Sequence, residues 1–116
     1  MISKLATTCF LGSVATLSIA APPPHHHCES DAMPRALRLL DFHLNSGEAT
    51  HVDVSLTPGY TLAKPVINPA NPAQKLDVLE FNGQSGKGDF RIRLLYIQNA
   101  KVCAMVGQEI INWASY

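Results

Sequence analysis

The chain has 116 residues with nine basic and nine acidic side chains, five histidines and no formal net charge. Such a balance excludes a phosphate-tracking nucleic-acid binder, which needs a basic excess, and the length leaves room for one domain only.

Met1 to Lys4 carry one positive charge, and Leu5 to Ile19 then run without any charged residue. This stretch has the make-up of a secretory leader. It is broken by Thr7, Thr8, Gly12, Ser13, Thr16 and Ser18, and is short of the roughly 20 apolar residues of a membrane span. Ser18-Ile19-Ala20 supplies the small residues of a cleavage box, and Pro22 to Pro24 stop a preceding helix. The expectation is a cleavable signal peptide over 1–20 and a secreted or periplasmic mature protein with no membrane span. Cys28 follows three histidines and Cys9 lies inside the apolar run, so neither is placed for lipid attachment.

Loss of the leader removes Cys9 and leaves Cys28 and Cys103 as an even pair. In an oxidising compartment such a pair reads as a disulfide. By the chain-entropy model, closing so long a loop is worth about 4 kcal/mol. The alternative is two free thiols, with Cys28 available as a metal ligand.

Residues 21–34 are rich in proline and histidine and lack apolar periodicity, which predicts an irregular arm. Residues 35–116 then read as a single β domain. Leu40, Phe42 and Leu44 alternate along one predicted strand, Asn45-Ser46-Gly47-Glu48 has turn chemistry, and Val52, Val54 and Leu56 alternate along the next. This predicts a hairpin. Between Thr57 and Gln74, Pro58, Pro65, Pro69 and Pro72 disfavour a central strand and predict a crossing connection, with Tyr60 to Ile67 as a short edge piece.

A three-stranded meander follows: 76–81, a glycine-rich loop over 82–88, 90–98, a tight turn at 99–101, and 102–111. In the favoured registers Arg91 faces Glu109 and Asp77 faces Arg93, while Leu76, Val78, Phe90, Ile92, Leu94, Tyr96, Ala104 and Val106 share one apolar face. Hairpin and meander together predict an all-β fold, a small antiparallel β-sandwich or partly open barrel.

Two histidine groups carry the candidate metal chemistry. On the predicted hairpin His43 faces His51 and Asp41 faces Asp53. Directly opposed Cβ atoms lie ~5 Å apart, which suits two imidazoles on one Zn²⁺ or Cu²⁺ with a carboxylate in support. The second group is His25-His26-His27 beside Cys28, since short histidine tracts bind transition metals through neutral imidazole. The competing reading of both is a solvated polar surface.

Ser85-Gly86-Lys87-Gly88 is not followed by a predicted helix that could hold an anion, and no Gly-x-Ser-x-Gly elbow occurs. No catalytic residue is assigned. Long loops on a rigid sheet are where binding tends to sit, which singles out Tyr60, Asn82 and Lys87 as partner contacts. Trp113 and Tyr116 are read as a cap on the sandwich end, with anchoring of a partner as the alternative. The sequence thus predicts a non-catalytic, exported binding protein acting on a protein partner, inhibitor-like or immunity-like. Its alternative is a periplasmic Cu/Zn-binding protein.

Overall fold

Ala32, Ala36, Leu40 and Leu44, spaced by four, form one fully buried stripe, the periodicity of an α-helix docked on a core. In the computed structural model, which describes residues 26–47, 49–98 and 100–116, that stripe belongs to α1 (Glu29–Asn45). The predicted leader lies outside the described residues, as do His25, Glu48 and Asn99. Glu29 and Asp31 in the first turn complement the helix dipole.

The helix replaces both the second half of the predicted arm and the first strand of the predicted hairpin. The alternation of Leu40, Phe42 and Leu44 is misleading, because Phe42 is 69 % exposed while Leu40 and Leu44 belong to the four-residue series. Two members of that series are alanines, whose small side chains give a weak hydrophobic signal. Pro34 obscures it further by sitting inside the helix, where it removes one backbone hydrogen bond.

The remaining chain forms β1 (Val54–Leu56), β2 (Thr61–Asn68), β3 (Asn71–Ser85), β4 (Gly88–Ile97) and β5 (Met105–Ser115). All pair antiparallel. The fold is thus mostly antiparallel β, but the described strands make one open sheet instead of a sandwich or barrel, with α1 across one face. β1 and β2 both pair with the same long strand, β3, which is followed by β4 and then β5. β1 takes the Ser85 end and β2 the Asn71 end. The proline-rich connection is therefore an edge strand, and Pro65 lies where its register with β3 shifts, a position that tolerates the missing N–H.

The predicted loop over 82–88 is mostly strand. β3 runs to Ser85 and turns through Gly86 and Lys87 alone, which places Glu80, not Asp77, opposite Arg93. This shift is by an odd number of residues, so it exchanges the faces of β3. Leu79 and Phe81 join Phe90, Ile92, Leu94 and Tyr96 beneath the helix, while Leu76 and Val78 turn to the other face. Between β4 and β5 the slip is even: Arg93, not Arg91, faces Glu109, and Ile110 packs beneath the helix side with Ile92. Val106 falls at the register shift near Leu95 and is 49 % exposed, so it leaves the expected apolar face.

Candidate functional site

Two places concentrate chemistry, the disulfide corner and the helix-free face of the sheet. At the corner, Cys28 precedes α1 and is joined to Cys103, which precedes β5, with Cα atoms 5.5 Å apart. The pairing is the one that the sequence predicts, but what it ties to the approach of β5 is the start of a helix instead of an irregular arm. His26 is built into the same corner. Its Nε2 donates to Asp77 Oδ2 at 2.8 Å, and its Nδ1 accepts from the Cys28 N–H at 3.0 Å. These two bonds hold the ring as the Nε2–H tautomer. The other oxygen of Asp77 accepts from Gln98 Nε2 at 3.0 Å, and the His26 N–H donates to the Tyr60 hydroxyl at 2.6 Å.

His27 is exposed and stacks on His26 with centroids 4.6 Å apart. One donor atom from each of His26, His27 and Cys28 lies within 4.8 Å of the others. In the oxidised chain, however, the Cys28 sulphur is bonded to Cys103, so imidazole alone is offered there. His25 lies outside the described residues.

The predicted His43 and His51 pair does not form, because His43 is on α1 and packs edge-on against Phe90, with centroids 6.0 Å apart. His51 instead sits between the two predicted carboxylates, 3.6 Å from Asp41 Oδ1 and 3.7 Å from Asp53 Oδ1. Both distances exceed hydrogen-bond range. Asp41 is bonded by Asn45 Nδ2 at 2.7 Å, and Asn45 also clamps Val52 through both main-chain groups. This clamp fastens the 46–53 connection to the helix end.

Of the predicted partner contacts, Tyr60 is half-buried, bonded to His26 and tilted against Phe81, so it serves the fold. Asn82 is exposed on β3 and its carbonyl accepts from the Thr57 N–H. Lys87 is exposed at the β3–β4 turn, where its carbonyl accepts from the Tyr116 N–H. Trp113 and Tyr116 are 55 % and 77 % exposed and cap nothing. The Tyr116 hydroxyl donates to Asp89, a bond that raises the phenol pKa above its ordinary value.

The helix-free face carries a groove of about 480 Å³, lined by Ala63, Val66 and Ile67 from β2, Leu76 and Val78 from β3, and Leu95 from β4, among others. Leu76 and Val78 are buried on its floor, and Val66 and Ile67 stand 40 % and 61 % exposed on its rim. Lys64, Arg93 and Glu109 add charge to that rim. Arg93 is held by Glu80 at 2.7 Å and lies 3.9 Å from Glu109, while Arg91 lies 3.4 Å from Glu80. Sequence reading missed this groove because it placed Leu76 and Val78 in the core and Val66 and Ile67 in a connection. The one signal in the chain was the apolar pair Val66-Ile67 inside a proline-rich stretch.

No helix among the described residues is long and apolar enough to cross a membrane. No known family model, curated protein or solved structure matches the chain.

Proposed function

We propose that this is an exported, non-catalytic binding protein that receives a protein partner on the helix-free face of its sheet. The carrying observation is the groove described above, in which buried Leu76 and Val78 form the floor, exposed Val66 and Ile67 the rim, and Lys64, Arg93 and Glu109 the polar border. An apolar centre with a charged margin is the anatomy of a recognition surface. Arg93 is engaged by Glu80 and, more loosely, by Glu109, whereas Lys64 has no ion-pair partner among the described residues. The fitting partner therefore presents apolar side chains beside a carboxylate. The disulfide and the leader-like N-terminus support action outside the cytoplasm.

The test is capture of a partner from periplasmic or extracellular extract by the purified protein and by its Val66→Asp and Lys64→Glu variants. Both substitutions are on exposed side chains, so folding is retained. The expected result is one protein enriched by the parent and reduced at least about tenfold by each variant, the scale of a single interface contact worth about 1.4 kcal/mol. Equal enrichment by parent and variants would remove the groove from the interface.

A further inference from the structure

Three residues of the kind that hold zinc gather at the disulfide corner, and a fourth is bonded to one of them. His26, His27 and Cys28 bring one donor atom each to within 4.8 Å of one another, and the sulphur of Cys103 is bonded to that of Cys28. We propose that reduction of this disulfide converts the corner into a Cys₂His₂ site for Zn²⁺, formed by His26, His27, Cys28 and Cys103. The same two sulphurs thus serve either as a covalent staple or as metal ligands, never both.

The chemistry balances with a thiol reductant as co-reactant. Two thiols of the reductant become its disulfide, the Cys28–Cys103 bond breaks, and each cysteine gains one proton. Binding of Zn²⁺ then releases those two protons, since the thiolate is the ligand. In reverse, a disulfide oxidant re-forms the Cys28–Cys103 bond and expels the ion.

Three features favour the site. First, the sulphurs start side by side, on residues whose Cα atoms are 5.5 Å apart. Second, His26 donates its Nε2–H to Asp77, which is itself held by Gln98, and this leaves Nδ1 as the metal donor once it exchanges the Cys28 N–H that it accepts in the oxidised chain. A carboxylate behind a histidine in this way fixes the ring and raises its basicity as a ligand. Third, His27 is exposed and stacks on His26 with centroids 4.6 Å apart, which already holds its ring beside the other donors. Zn–N of about 2.0 Å and Zn–S of about 2.3 Å in a tetrahedron require the His26, His27 and Cys28 donors to close in by roughly an ångström and the two sulphurs, once their bond is broken, to move apart to about 3.8 Å, which side-chain rotation supplies.

The inference is tested with the full chain carrying Cys9→Ser, so that only two thiols are counted. Zn²⁺ uptake is measured against a chromophoric chelator before and after reduction, and Co²⁺ is used as the spectroscopic probe. The expected result is one ion per chain after reduction, a near-ultraviolet thiolate-to-Co²⁺ band of two-sulphur intensity, and no comparable uptake by the oxidised chain. His27→Ala, at an exposed position, weakens uptake by at least about tenfold, and Asp77→Asn weakens it by about tenfold while leaving the stoichiometry and the sulphur band in place. No uptake after reduction, a Co²⁺ spectrum without the sulphur band, uptake of equal strength by the oxidised chain, or indifference to His27→Ala would each overturn the proposal.

Discussion

Tyr96 is fully buried, and its hydroxyl donates to Asp31 Oδ2 at 2.8 Å. That bond, helped by Arg35 at 2.9 Å, holds the Asp31 carboxyl below its ordinary 3.8 against the opposing effect of partial burial. Burial, and then the same bond, push the Tyr96 phenol well above its ordinary 10.0. The two shifts act at opposite ends of the pH scale. A lowered carboxyl adds stability that is complete above its unfolded value of 3.8 and is lost as pH falls through its folded value. A raised phenol adds stability that is complete below 10.0 and is lost as pH climbs above it. Tyr96→Phe is therefore expected to cost about 1–2 kcal/mol near neutral pH and to flatten the fall in stability at both extremes. Urea unfolding across pH checks this, and an unchanged acid and alkaline slope would contradict it.

At the scale of elements, the decisive contact is where α1 meets the sheet. A Cβ built at Gly83 would lie 2.5 Å from Leu40 Cδ2 and 2.8 Å from Ile92 Cδ1. The glycine is what lets the helix approach β3 closely. Gly83→Ala is expected to destabilise by about 1–3 kcal/mol through overpacking. Leu40→Ala, which empties the same contact from the other side, is expected to cost about 2–5 kcal/mol. Denaturant midpoints of the two variants measure both, and a neutral Gly83→Ala would show that the helix rides farther from the sheet.

The same contact explains what was legible in the sequence at this scale. β4 stands close to where alternation puts it, because Phe90, Ile92, Leu94 and Tyr96 bury one face of a strand, whereas β5 begins at Met105 and ends at Ser115, later than the expected 102–111. α1 was hidden because two of its four buried positions are alanines and a proline interrupts it. The sequence also places the turn between β3 and β4 too early, since Gly83 looks like loop chemistry when only the chain is considered. Its true role is to make room for Leu40, which lies more than 40 positions away in sequence and beside it in space.

At the scale of the whole molecule, Cys28–Cys103 joins the start of the helix to the start of the last strand across a separation of 75 residues. Reduction, or Cys103→Ala, is expected to lower unfolding free energy by about 4 kcal/mol, read as a fall in denaturant midpoint with and without reductant. A change below about 1 kcal/mol would place the stability of the corner in the hydrogen bonds of His26 and Asp77. The sequence by itself determined the cysteine partnership, since two cysteines in a predicted mature chain admit one intramolecular pairing. It also determined the antiparallel β character, because period-two burial is written locally along β4. Only the tertiary structure decided the rest. It set the helix on one face, the odd register of β3 that moves Leu76 and Val78 to the other, and the separation of His43 from His51. Register and docking depend on which distant surfaces fit, and a one-residue difference in pairing exchanges every side chain between the two faces. The groove on the helix-free face and the donors gathered at the disulfide both exist because of that fit.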